Sequence, residues 1–201
     1  MAGAFPISNS KFDTLGIKSI QNTIISKSVS GKKLARQIDN QRFAFSVRII
    51  TGKRSDVYGD LMAFIVKQRS GKENFTIIPP EIEDARGNET GTVLVNGVHA
   101  VGDTTIACDA FAGDGAGRFK AGDFLKFASH DKVYMVVEDV TSSSNAATVT
   151  IEPPLTTALV NDSAVTYDSV PFTVALVNDI QTIALGGDGF YRFEVDMIEV
   201  I

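Results

Sequence analysis

The chain has 201 residues, about one to one and a half average domains, and its 44% hydrophobic and 21% charged content excludes general disorder and fibrous repeats. Its longest apolar run, Leu61 to Val66, is far short of the ~20 residues that cross a bilayer. One cysteine, Cys108, and two histidines, His99 and His130, exclude a disulfide framework, a cysteine-rich zinc site and a three-histidine metal centre.

The opening MAGAFPISNSKF lacks the basic and then apolar segments of a secretory signal, so synthesis and folding in a cytoplasm are expected, with no membrane contact. The net charge of -5 conceals an asymmetry: residues 1–80 carry 13 Lys+Arg against 5 Asp+Glu (net +8), residues 81–201 carry 6 against 19 (net -13). Opposed regions of this kind suit docking between subunits.

In chain order, residues 20–29 (IQNTIISKSV) have no clean period and read as a weak strand. The basic stretch SGKKLARQIDNQ reads as a hairpin loop or flexible arm. Arg42 to Ile50 alternates strictly, with Phe43, Phe45, Val47 and Ile49 on one face, which predicts a half-buried antiparallel strand. Ser55 to Arg69 predicts one amphipathic helix: Ser55 or Asp56 caps it, Val57, Leu61, Phe64 and Ile65 form its stripe, and Gly71 takes the left-handed position after it. A strand at Phe75 to Ile78 ends at Pro79 and Pro80.

Residues 81–91 (EIEDARGNETG) have the composition of a linker. Short apolar runs then recur between turn signals, at Val93–Val95, Thr104–Cys108, Phe124–Phe127, Val133–Val140 and Ala147–Ile151, the spacing of a small β-barrel. Phe172, Val174 and Leu176 alternate, as do Tyr191, Phe193, Val195 and Met197, after a glycine-rich turn at Gly186, Gly187 and Gly189.

Chemistry-bearing patterns are sparse. GDGAG at Gly113 to Gly117 lacks the strand-to-helix setting of a phosphate cradle and reads as a surface turn. Asp103, Asp109, Asp114 and Asp123 do not fit a calcium-loop spacing and read as acidic turn residues. His99, His130 and Cys108 share no context that would make a nucleophile and its base, and Cys108 reads as a small buried hydrophobe. The basic set including Lys27, Lys32, Lys33, Arg36, Arg42, Arg48, Lys53 and Arg54 could hold a phosphate backbone, but without an aromatic platform beside it an acidic protein neighbour is favoured over nucleic acid.

The order of elements carries a resemblance. The basic segment and RFAFSVRI, the helical DVYGDLMAFIVKQRSG, then FTIIPP, and the closing FYRFEVDMIEVI are similar to minor tail proteins of tailed bacteriophages, in particular the distal tail protein group of the tail tip or baseplate. The middle segments KAGDFLKF, VYMVVEDV and TVTIEPPL look like a small β-barrel insertion found in phage tail proteins.

The resemblance implies a mainly β fold with minor helix: a β-sandwich core from 1–80 and 171–201 with one packed helix, and an inserted barrel at 92–170. It implies a structural virion component assembled in the host cytoplasm, with no catalysis and no cofactor. Its copies would form a ring, a hexamer on the family pattern, that joins the tail tube to hub and fibre proteins. Residues expected at subunit contacts are Lys32, Lys33, Arg36, Arg42, Arg48 and Arg54 on the basic side, and Glu81, Glu83 and Asp84 on the linker. The alternative is a carbohydrate-binding module, for which Tyr134, Tyr167 and Phe111 are the candidate platforms.

Overall fold

The alternation in RFAFSVRII produces the central strand of a six-stranded sheet in the computed structural model of the chain, which describes residues 3–6, 11–186 and 188–201. The expectations for Gly187 and for the side chain of Val57 lie outside the described residues. The chain divides into two units, Met1–Thr76 with Val174–Val200, and Ile77–Thr173 with Ile201.

In chain order the elements begin with β1 (Phe12–Ile20), β2 (Thr23–Lys27), β3 (Lys33–Gln37), β4 (Arg42–Gly52), the helix α1 (Gly59–Lys67) and β5 (Phe75–Ile77). There follow β6 (Leu94–Val95), β7 (Thr105–Asp109), β8 (Gly115–Ala116), β9 (Phe124–Phe127), β10 (Val133–Val136), β11 (Thr141–Ser142), β12 (Ala147–Glu152) and β13 (Val165–Thr166). The last three are β14 (Phe172–Leu176), β15 (Ile183–Leu185) and β16 (Tyr191–Glu199). The fold is mainly β with minor helix, as expected.

The large sheet has the order β1-β4-β16-β14-β5, with β15 added to β16. Phe43, Phe45, Val47 and Ile49 are buried, and opposite them on β16 stand Val195 (against Val47) and Met197 (against Phe45), both fully buried. The β5 edge is covered by the N-terminal segment, where Ala4 bridges Thr76 and the Phe5 amide donates to the Thr76 carbonyl at 2.8 Å. The rings of Phe5 and Phe75 stack there, with Phe64 edge-on to both, 5.1 Å from Phe75, and this cluster seats the helix.

The helical segment departs from expectation at both ends. It opens one residue early, as a wide turn over Arg54–Tyr58 that leads into α1, and Asp56 accepts the Lys53 amide from inside that turn instead of preceding it. At the other end Arg69 (φ 52) and Ser70 (φ 62) take the left-handed conformation, and Gly71 (φ -81) does not. Gly71 answers a different need: a Cβ there would lie 2.6 Å from the Leu176 carbonyl oxygen of β14, so the chain can pass only as glycine.

Two further differences concern the N-terminal region. The stretch expected as a loop or arm contains β3, which pairs with β2 in register from Thr23↔Gln37 to Lys27↔Lys33. Every residue of both strands is exposed, so no burial imposed a hydrophobic period that the sequence could display. The strand β1 leaves no periodic signal in the sequence, because its nine residues are mostly exposed and its apolar positions do not alternate.

The second unit is a small barrel that takes in residues 81–91, expected as a linker: the Ala85 amide donates to the Tyr167 carbonyl at 3.0 Å, and Glu89 is buried. Its strands run β13-β9-β10-β12-β7-β6. Main-chain bonds from Val165 to Val93 and from Val95 to Ser163, both 3.0 Å, then tie the two end strands together and nearly close the sheet. Closure removes exposed edges, and the interior fills with Ile106, Leu125, Phe127, Tyr134, Val149 and Ile151, each at most 1% exposed.

One buried charge spans the barrel wall. The Glu89 carboxylate, fully buried, accepts main-chain N–H groups of Thr90, Gly91 and Ala112 at 3.1, 2.7 and 2.8 Å on one oxygen. Its other oxygen lies 3.6 Å from the Arg118 guanidinium, which also donates to Ser142 Oγ and the Asp114 carbonyl. Replacing Arg118 with Met strands this carboxylate, and a loss of about 3–5 kcal/mol in urea unfolding is expected. The double variant Glu89→Gln, Arg118→Met recovers part of that loss, because the amide oxygen still accepts and no charge is left buried.

His130 is buried beside the rings of Phe127 and Tyr134, with Nδ1 3.0 Å from the Tyr134 hydroxyl. Burial lowers its pKa from the ordinary value, so the folded barrel favours the neutral ring while the unfolded chain takes a proton near pH 6.5. Stability is therefore highest above that value and falls as the pH drops below it. His130→Gln should flatten this dependence, read as a smaller fall in urea midpoint between about pH 7.5 and 5 than the parent chain shows.

Candidate interaction surfaces

The β2–β3 hairpin stands out because it has no core of its own. Its turn is built locally: the Ser28 amide donates to the Lys32 carbonyl at 3.0 Å, Gly31 (φ 80) donates back to Ser28, and Ser28 Oγ receives the Lys32 amide. Paired residues point to the same side of an antiparallel ribbon. One face therefore carries Ile24, Ser26, Leu34 and Arg36, and the other carries Ile25, Lys27, Lys33 and Ala35. Ile24, Ile25, Leu34 and the flanking Ile38 are each more than half exposed, and Val29 at the tip is wholly so.

Two features make this ribbon unsatisfied. A lone two-stranded hairpin is marginal in water. Lys27 and Lys33 also sit directly opposite one another, with Lys32 beside them, and like charges at opposed positions destabilise a ribbon until a counter-charge arrives.

The remaining basic residues fare differently. Arg42 is paired with Asp39 at 3.3 Å and Arg48 with Asp13 at 3.4 Å, so both already have an intramolecular carboxylate. Arg54 lines an open pocket of about 720 Å³ with Lys53, Ser55, Gly59, Leu185 and Tyr191. The hairpin thus gathers Lys32, Lys33 and Arg36, while Arg42, Arg48 and Arg54 lie elsewhere in the same unit.

Glu81, Glu83 and Asp84 lie in the other unit, on turns that precede β6. The Asp84 carboxylate already accepts the Ser169 amide at 2.8 Å, and the Glu83 carbonyl accepts that of Val170. Counted by unit, 1–76 with 174–200 hold 14 Lys+Arg against 10 Asp+Glu (net +4), and 77–173 hold 5 against 14 (net -9).

The chemistry-bearing residues are placed apart and occupied. His99 Nε2 accepts the Ala107 amide at 3.2 Å, and His130 is bound to Tyr134. Cys108 is 1% exposed, and burial with the adjacent Asp109 carboxylate pushes its thiol up to about 12, which leaves no thiolate nucleophile at neutral pH. Asp103, Asp114 and Asp123 accept main-chain amides of Ala100, Asn145 and Lys120, so these carboxylates hold turns. GDGAG contains the two residues of β8, paired to β11 across Gly115↔Ser142 and Ala116↔Thr141.

The sugar-platform expectation fails on burial. Tyr134, Tyr167 and Phe111 are 0%, 7% and 3% exposed, because all three belong to the barrel core and cannot stack on a ligand from solvent. What the sequence reading missed is the apolar half of the hairpin, Ile24, Ile25, Val29, Leu34 and Ile38. Apolar residues scattered among cations with no helical or strand period were the available signal.

The comparisons bear on the barrel unit. No curated protein matches the chain. Residues 83–170 match the family model described as distal tail protein pb9, B domain, and that span falls within the nearly closed barrel and its lead-in turns. Over residues 83–170 the chain is therefore similar to the B domain of distal tail protein pb9, a phage tail protein.

Proposed function

We propose that the chain is a structural component of the phage tail tip or baseplate, whose copies close into a ring, a hexamer, that joins the tail tube to hub and fibre proteins. The match to a phage tail domain supports a structural tail role, and with it a place in the virion. Assembly takes place in the host cytoplasm. No catalytic step is assigned: Cys108 and His130 are buried, and Asp103 holds a turn.

The observation that carries the ring reading is the exposed, cationic β2–β3 hairpin. A ring requires a heterologous contact, in which one patch of a copy meets a different patch of the next. The hairpin supplies Lys32, Lys33 and Arg36 as the basic side, with Arg42, Arg48 and Arg54 in support. Carboxylates of the next copy, Glu81, Glu83 and Asp84 among them, supply the other side. Charge sets orientation and association rate here, and the apolar side chains of the hairpin contribute the burial.

Sedimentation and negative-stain microscopy of the full chain test this. The parent chain should form closed rings that dissociate as salt is raised. The variant Lys32→Glu, Lys33→Glu, Arg36→Glu should keep the same melting temperature and associate roughly tenfold or more weakly. A parent chain that stays monomeric at all accessible concentrations overturns the ring.

A further inference from the structure

One end of the barrel unit presents a second apolar surface of opposite charge character. Residues 96–103 and 155–162 run antiparallel there: His99 and Leu159 exchange main-chain bonds at 3.2 and 3.0 Å, and the Gly102 amide donates to Leu155 at 2.9 Å. His99 and Leu159 point inward, Leu159 being 1% exposed. Val98 and Val160, which flank that bridge, are turned outward, at 77% and 64% exposed, with Val101 beside them at 63%. Asp103 and Asp162 rim the patch, and neither stretch contains a Lys or Arg.

We propose that this valine-faced acidic tip receives the β2–β3 hairpin of a second copy of the chain. Ile24 and Leu34 seat on Val98 and Val160, and Arg36, on the same hairpin face, meets the rim carboxylates of Asp103 and Asp162. The assignment rests on the ring reading and names the surface that completes its contact.

Two rival seats are weaker on chemistry. The segment at Glu81, Glu83 and Asp84 adds carboxylates to the ring contact, but its one large apolar side chain, Ile82, is half-buried, so it cannot itself be the seat that covers the isoleucines. The edge of β1 is long enough for strand addition, but it carries Lys18 and would set cation against cation. The tip offers exposed valines and carboxylates together, with no cation in either of its two stretches.

The single native thiol is buried, so introduced cysteines report the contact without background. Full-length Leu34→Cys chains are mixed with Val160→Cys chains under mild oxidation and analysed by non-reducing mass spectrometry. The mixed disulfide should exceed, several-fold, the product of Leu34→Cys with a control Val66→Cys on the exposed face of α1. Equal yields from both mixtures, or Leu34→Cys homodimers as the main product, overturn the docking. If the same variants still sediment as rings the proposed function stands without it, and if neither forms rings both readings fall.

Discussion

The pairing of β4 with β16 is the constraint on which the first unit depends. It joins residues about 150 positions apart, in register from Phe193↔Ile49 to Ile198↔Ala44, and its inward side chains are almost all fully buried. Glu199 fixes the far end of that register, its buried carboxylate accepting the Phe43 amide at 3.0 Å. A one-residue slip of β16 against β4 would turn Phe193, Val195 and Met197 away from the core, and each such side chain is worth about 1.5–3 kcal/mol buried. Because the pairing spans the whole barrel segment, its loop-closure entropy is lowest when the barrel has already folded and shortened the separation.

Burial explains what was legible. The alternation of RFAFSVRII and of YRFEVDM declared the two central strands, because one face of each is packed and the other is not. Leu61 and Ile65 declared the helix in the same way, and the recurrent short runs between turn signals declared the barrel. Where nothing is buried the period vanishes: β2 and β3 are exposed along their whole length, and the cation-rich sequence of β3 reads as loop although its backbone is fully paired. The buried aromatics failed for the complementary reason. Tyr134 and Tyr167 carry hydroxyls that suggest a wet surface, but partners within the barrel, Thr156 and the Gly91 carbonyl, satisfy them inside it.

The charge asymmetry narrows when it is divided by units. The split by sequence halves set +8 against -13, but β16 and the loop before it return acidic side chains to the first unit, which falls to +4. Much of the remaining positive charge is already answered: Arg42, Arg48 and Arg192 are each ion-paired within that unit. The cations of Lys27, Lys32 and Lys33 at the hairpin end therefore matter more than the total does, since they crowd one another on a ribbon with no core.

The two units differ in how far they complete themselves. The barrel nearly closes its sheet, buries Glu89 with its guanidinium partner and caps its turns with its own carboxylates, so its internal polar groups are largely answered from within. The hairpin does the reverse, exposing isoleucines on both faces and opposing lysine to lysine. Surfaces of that kind cost a monomer little in lost packing, because nothing there was packed, and they become stable only when another surface covers them. The energy of folding is thus concentrated in the sheet and the barrel, and the hairpin is left as the segment whose order depends on what it meets.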